Sequence, residues 1–276
     1  LAFMGKINFE KPLGESKKPI SFIPYINGSL GKNFIQDKTL NNLDYGLDVK
    51  IPIGNSINVD LTVNPDFSQV EVDDQLVNLT QFELRLPERR QFFTQNSDLF
   101  TDFGQERDAE PFFSRRIGIA KDFEGNTVEN RIISGMRLSG KINDKLRIGL
   151  LNVLTEEDRA KGIPQNNNTL FTLRNKVFAR SNYSFFFINR ENTKDYDFIE
   201  NQKKYNRVFG FEYNLASKNG QWKGRTFIHK SFTPEKNDKN TSFGLRLSKN
   251  SRKHYISMGL SLIQISEPTR PMNIAY

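Results

Sequence analysis

Between positions 43 and 64 apolar and polar residues alternate in two runs. Leu43, Tyr45, Leu47, Val49, Ile51 and Ile53 interleave with Asp44, Gly46, Asp48, Lys50 and Pro52. After Gly54-Asn55-Ser56, residues Ile57, Val59, Leu61 and Val63 interleave with Asn58, Asp60, Thr62 and Asn64. A period of two on both sides of a Gly/Asn turn predicts a β-hairpin with one wholly apolar face and one polar face. A soluble sandwich would turn the apolar face into its core. A membrane barrel would turn it out to lipid and line its lumen with the polar face.

The same patterning predicts further strands at 19–27, 131–141, 145–154, 170–179, 183–190, 206–216, 221–231, 241–248 and 254–259, with no helical periodicity of useful length. The connections alternate. Short turns fall at Gly54-Asn55, Asn143-Asp144, Arg180-Ser181-Asn182, Lys218-Asn219-Gly220 and Asn250-Ser251; long loops fall at 28–42, 65–130, 155–169, 191–205 and 232–240. Up-and-down outer-membrane barrels alternate in this way, whereas a Greek-key sandwich has no reason to do so. The fold class expected is therefore all-β: an antiparallel, up-and-down transmembrane β-barrel, present in part, with a long loop-rich insert. About eleven strands paired in sequence order should form a curved, incompletely closed sheet. Its apolar positions should face outward, and Asp44, Asp48, Lys50, Asn58, Asp60 and Thr62 should face the concave side.

Composition fits this class. The chain has 276 residues and a mean hydropathy of −0.60, with no apolar run long enough for a transmembrane helix. Strands of about 10 alternating residues cross a membrane without raising the average hydropathy. The 24 Phe and 8 Tyr are too much apolar material for a disordered chain. The absence of Cys excludes disulfides and thiolate chemistry, and two histidines, His229 and His254, leave little for a metal site or a triad; both fall in predicted strands as wall residues. A net charge of +8 raises nucleic-acid binding, but the basic residues are scattered over many turns among acids, so no nucleic-acid partner is expected. No cofactor is expected, and Gly-rich phosphate loops are absent. The chain opens at Leu1 without a signal peptide, which puts any export leader upstream.

The 65–130 segment is too long for an ordinary loop and carries nine phenylalanines, among them Phe92, Phe93, Phe112 and Phe113. It is expected to fold as an external cap or a segment tucked into the lumen. Arg85, Arg89, Arg90, Arg115 and Arg116 are its candidate binding residues: a guanidinium is permanently charged and grips carboxylate or phosphate with two donors. Inside a barrel they would favour anionic solutes. The structural alternative, which we favour, is that they pair with Glu83, Glu88 or the wall residues Asp48 and Asp60 to fix the insert as a plug. Asp66, Glu71, Asp73 and Asp74 are weak metal candidates, since carboxylates suit hard cations but EF-hand spacing is missing. Glu83, Glu88, Asp98 and Glu110 could include a glycosidase pair, which needs two carboxyls at a fixed separation. Ion pairing with neighbouring arginines is the simpler reading, and no catalytic constellation is identified.

At these residues the chain resembles a known family. The run Asn64-Pro-Asp-Phe-Ser-Gln-Val-Glu-Val-Asp73 is followed by Val77-Asn-Leu-Thr80, Phe82-Glu83, Leu86-Pro-Glu-Arg-Arg-Gln-Phe-Phe93, Asn96-Ser-Asp-Leu-Phe100 and Pro111-Phe-Phe-Ser-Arg-Arg-Ile-Gly118. This string, with Phe22-Ile-Pro-Tyr25 and Lys230-Ser-Phe-Thr-Pro234, resembles a Bacteroidota family, domain of unknown function 5916, over about residues 1–259. The resemblance implies an outer-membrane β-barrel of the Gram-negative cell envelope, in contact with outer-membrane lipid. It usually follows a family 9 carbohydrate-binding-like sandwich that could bring glycans as partners. A transport or glycan-related surface role follows; a membrane-associated glycan hydrolase and a structural barrel anchor are the alternatives. Leu260-Ser-Leu-Ile-Gln-Ile-Ser-Glu-Pro-Thr-Arg270 resembles a translated transposase-type sequencing adapter. That resemblance implies that 260–276 is a non-native tail, that 1–259 is the barrel domain with its insert at 65–130, and that the native chain continues beyond both ends.

Overall fold

The computed structural model describes residues 19–33, 38–65, 87–105, 109–199, 204–234, 240–252 and 254–263. Eleven strands form one antiparallel sheet, with strands neighbouring in space as they do in sequence. In chain order these are β1 (Ser21–Asn33), β2 (Lys38–Ile53), β3 (Ile57–Val63), β6 (Ile132–Lys141), β7 (Leu146–Thr155), β8 (Asn166–Val177), β9 (Ser181–Asn192), β10 (Tyr205–Ala216), β11 (Trp222–Phe232), β12 (Thr241–Asn250) and β13 (Tyr255–Ile263). The meander is uninterrupted, and the insert between β3 and β6 leaves those two strands directly paired. β4 (Ile119–Lys121) and β5 (Thr127–Glu129) make a separate small hairpin inside the insert. The sheet is open: β1 and β13 are its two edges and are not paired with each other.

The short turns stand at or within two residues of the expected places; Gly54 at φ +59° and Gly220 at φ +70° supply left-handed backbone in two of them, and in the β8–β9 turn, at 178–180 rather than 180–182, Phe178 takes it at φ +54°. One loop differs. The expected 28–42 loop is mostly strand, since β1 and β2 continue in register from Ser21↔Lys50 to Asn33↔Lys38. Its polar residues Asn41, Asn42 and Lys38 mask the alternation although the backbone pairing persists. His254 lies just before β13 rather than in it. β13 runs to Ile263 and so takes in the first residues of the adapter-like stretch; the rest of that stretch lies outside the described residues.

Polarity is inverted relative to a soluble sheet. Tyr45 is 75% exposed and Leu43, Leu47, Ile53 and Val63 are also exposed, while Asp60 and Thr62 on the opposite face are buried. The pattern holds across the sheet. Phe209, Phe211, Ile228, Leu245, Met258, Leu260 and Leu262 are exposed, whereas Arg137, Ser139, Thr172, Ser184, Glu212, His229 and Ser242 are buried. The polar face is covered by the insert, and the main apolar core lies there too. Phe93, Leu99, Phe100, Phe103, Phe112 and Ile117 of the insert pack with Ile132, Leu151, Val153, Leu170, Phe186, Ile188 and Val208 of the strands. The insert phenylalanines thus join a shared core rather than forming a small one of their own, and Phe113 stays half-buried.

Arg137 and Asp60 stand opposite each other on β6 and β3. Arg137 Nη2 lies 2.7 Å from Asp60 Oδ2, with both side chains almost wholly buried. Arg137 also donates to the Phe92 carbonyl and to Gln95 Oε1. Removing one partner of such a pair leaves a buried uncompensated charge and costs about 3–5 kcal/mol, whereas replacing both with apolar residues is close to neutral. Arg137→Ala is therefore expected to destabilise the protein by about 3–5 kcal/mol. Arg137→Met combined with Asp60→Leu should recover most of that loss. Denaturant unfolding, followed by the single tryptophan, Trp222, checks both.

Candidate functional site

The insert crosses the polar face of the sheet as a short chain of local structures. Helix α1 (Gln91–Thr94) and helix α2 (Asp98–Thr101) are single turns, followed by a 3-10 turn over Ser114–Arg116. Single helical turns are not stable by themselves; these persist because Phe93, Leu99 and Phe100 are driven into the shared core. The wall makes room with glycine. A Cβ at Gly149 would stand 2.9 Å from the Phe100 ring, and one at Gly135 would stand 2.8 Å from Phe92. Mid-strand glycine marks such close approaches and was the available sequence signal.

Polar contacts tie the insert to the wall in sheet order. Gln95 meets Arg137 of β6. Asp98 receives Arg147 of β7 at 2.5 Å, and its carbonyl accepts from Arg174 of β8 at 3.0 Å. Asp102 pairs with Arg174 at 3.4 Å and with Arg225 of β11. The Gly104 carbonyl accepts from Arg225 at 2.7 Å, and the Gly104 N–H donates to Glu212 of β10 at 2.5 Å. Glu212 is fully buried and lies 2.9 Å from His229 Nε2, with Phe186 and Phe227 against the imidazole. His229 is a wall residue, as the sequence suggests.

Between insert and wall the charges therefore run opposite to the sequence expectation, whereas the expected pairing of Arg90 with Glu88 is present. Acids of the insert meet arginines of the wall. Asp60 holds the wall's own Arg137, and Asp48 accepts the Thr62 hydroxyl at 2.6 Å. The reason is register: Asp60 and Arg137 are cross-strand neighbours, so they meet before any insert residue can. Arg147, Arg174, Arg225 and Glu212 were not singled out from sequence, because alternation gives a residue's face but not what covers it.

Among the sequence candidates, Arg90 is buried and serves the insert itself. Its Nε and Nη2 grip Glu88 at 2.8 and 2.7 Å, Nη2 donates to the Ser114 carbonyl at 2.6 Å, Nη1 donates to the Ile117 carbonyl, and the guanidinium lies 4.2 Å from the Phe93 ring. Burial pushes the Glu88 carboxyl up, but the hydrogen bonds and charge of Arg90 and the Ser114 hydroxyl outweigh it, so its pKa lies below the ordinary value. Arg89 is exposed, and Arg115 and Arg116 are half-buried beside the 3-10 turn. Arg85, Glu83 and all four metal candidates, Asp66, Glu71, Asp73 and Asp74, lie outside the described residues. No group of three potential metal ligands occurs among the described residues. Glu88 and Asp98 are committed to arginines, and Glu110 is half-buried.

Beside the insert, towards the long-loop end, is a cavity of about 690 Å³. Its floor is the inner face of β8 and β9 with Asn168, Leu170, Ile188 and Arg190; the 3-10 turn and the β4–β5 hairpin roof it; Ile163, Pro164 and Phe198 stand at its side. Residues 19–262 match the family described as Domain of unknown function (DUF5916). The chain belongs to this family. No curated protein and no solved structure matches it.

The loop residues beside the cavity form their own charged cluster. Glu157 accepts from Lys194 at 2.5 Å, from Arg159 and from the Tyr196 hydroxyl at 3.1 Å, and that hydroxyl accepts from the Gln165 N–H at 3.0 Å. The hydrogen bonds from Lys194 and Arg159 lower the Glu157 pKa from 4.5 to about 2. Because the folded value is depressed, the stabilisation is complete above pH 4.5 and is lost as pH falls from there through about 2. A carboxyl ¹³C NMR titration should place the Glu157 midpoint near 2, and Lys194→Ala should move it upward.

Proposed function

We propose that this domain is a wall of an outer-membrane β-barrel whose polar face is occupied by its own insert as a plug. The inverted polarity of the sheet carries this reading. A row of exposed apolar side chains over many strands is stable against lipid and unfavourable in water. Tyr183, Tyr213 and Trp222 sit near the short-turn ends of β9, β10 and β11, as the aromatic girdle of a barrel does. Towards the other end of the same face Arg207 pairs with Glu191 at 3.2 Å. Unpaired strand edges cannot face hydrocarbon, so in a membrane further strands cover β1 and β13.

Phe209→Arg in the full-length protein distinguishes lipid from water on that face. At the middle of a bilayer the substitution should cost about 2–4 kcal/mol. On a solvated surface it should stay within about 0.5 kcal/mol. Unfolding measured in phospholipid vesicles decides between them.

The plug favours a closed envelope barrel that anchors its neighbours, including an upstream carbohydrate-binding domain if one precedes it. Gated solute transport is the second reading. It is favoured by the way the plug is held, because Asp98 and Asp102 keep roughly half of their side-chain surface exposed, at 51% and 44%. Ion pairs of this kind release more readily than dry packing. Planar-bilayer conductance of full-length Asp98→Ala/Asp102→Ala separates the two: a large increase over the parent protein marks a releasable plug, and unchanged conductance marks an anchor.

A further inference from the structure

At the short-turn end of the polar face, positive charge exceeds what the insert balances. Lys176 donates its backbone N–H to the Lys145 carbonyl at 2.9 Å. From there the register runs Lys176↔Asn182, Asn182↔Asn214, Asn214↔Arg225 and Arg225↔Arg246. Cross-strand partners share a face. These side chains therefore form one row across the sheet with no acid in it, and strand spacing makes it about 24 Å long.

Within the row the amide oxygens are taken and donors are left over. Asn214 Nδ2 donates to Asn182 Oδ1 at 3.2 Å, and Arg225 Nε donates to Asn214 Oδ1 at 2.8 Å. Lys145, Lys176 and Arg246 are exposed, and none of them forms an ion pair among the described residues; Asp144, the acid of the β6–β7 turn, forms none either. The long-loop end differs: there Lys161 pairs with Asp158, Lys194 with Glu157 and Lys204 with Asp195. Like charges directly opposite each other destabilise a sheet, and Arg147↔Arg174 and Arg225↔Arg246 are such pairs. Asp98 and Asp102 of the insert relieve Arg147, Arg174 and Arg225. Arg246 and the two lysines continue the same surface without that relief.

We propose that this row is a docking site for an acidic peptide segment of a partner protein, held in extended form across the strands. The occupant follows from continuity with the interface beside it. The row extends the surface on which the aspartates of the insert already sit, so carboxylates carried on a polypeptide are the groups this wall holds. Ammonium and guanidinium donors form their strongest hydrogen bonds with such oxygens. An extended segment of about seven residues spans about 23 Å, the length of the row. The row is open on the polar face whatever lies against the apolar one, so it can be assayed whether or not the membrane reading holds.

The test is fluorescence anisotropy of a labelled heptapeptide of alternating aspartate and glycine, titrated with the full-length protein in detergent. The same peptide with asparagine for aspartate, and tetragalacturonate, which carries its carboxylates on a glycan, serve as unlabelled competitors. Saturable binding that weakens with added salt is expected, with each comparison compound weaker than the unlabelled acidic peptide by about 10-fold or more. Lys176→Gln and Arg246→Gln should each weaken the acidic peptide by about 3-fold, and together by about 10-fold, the scale of exposed ion pairs. Their far-UV circular dichroism should match that of the parent protein. Lys161→Gln removes the same charge at the long-loop end and should leave the affinity unchanged. Equal binding of the asparagine peptide would overturn carboxylate recognition, and equal binding of tetragalacturonate would overturn the peptide as occupant. Equal weakening by Lys161→Gln would reduce the effect to net charge, and no saturable binding of the acidic peptide would remove the site.

Discussion

The structure depends on one constraint: a β-sheet whose polar face is buried must supply that face with partners. Arg137, Asp60, Thr172, Glu212 and His229 are all buried on the face that the insert covers. A charge taken from water costs several kcal/mol unless it is paired and hydrogen-bonded. Asp60 and Arg137 meet part of that cost within the sheet, through the β3–β6 register. The rest falls to the insert, which brings the Phe92 carbonyl, Gln95, Asp98, Asp102 and the Gly104 backbone to arginines and Glu212 along successive strands. The insert is thereby placed by the wall, and its single-turn helices exist because the wall holds them.

This arrangement explains why charge and apolar packing occur on the same face. Leu151, Val153, Leu170, Phe186, Ile188 and Val208 form an apolar strip between rows of polar side chains, and the insert rings settle on that strip. Gly135 and Gly149 let two of those rings approach the backbone. On the outer face of β10 to β13 charge is confined towards the strand ends, at Arg207, Lys230 and Lys249, and between them Phe209, Phe211, Ile228, Leu245 and Leu260 are apolar and largely exposed. A surface that is apolar outside and charged inside is the arrangement expected where the outer solvent is hydrocarbon and the inner space contains water and protein. Under that reading the plug and the wall are parts of one device, and the cavity beside the plug is the space that remains at the long-loop end.

Alternation by itself determined the antiparallel meander, the number of strands, the five short turns and the face on which Tyr45, Leu47, Asp60 and Thr62 lie. These follow from a period-two backbone, which sends successive side chains to opposite faces whatever the surroundings. It also marked the 65–130 segment as folded, since its phenylalanines needed cover. Tertiary structure alone decided what covers the polar face and with which charges. Arg147, Arg174 and Arg225 are separated from Asp98 and Asp102 by many tens of residues, and nothing local in the chain couples them. Arg90 shows the boundary: its pairing with Glu88 is two residues away and was legible, but its bonds to the Ser114 and Ile117 carbonyls required the insert to fold back on itself. The cavity and the Asn168–Arg190 pair at its floor belong wholly to the second class, because they arise from the pairing of two strands and have no sequence period of their own.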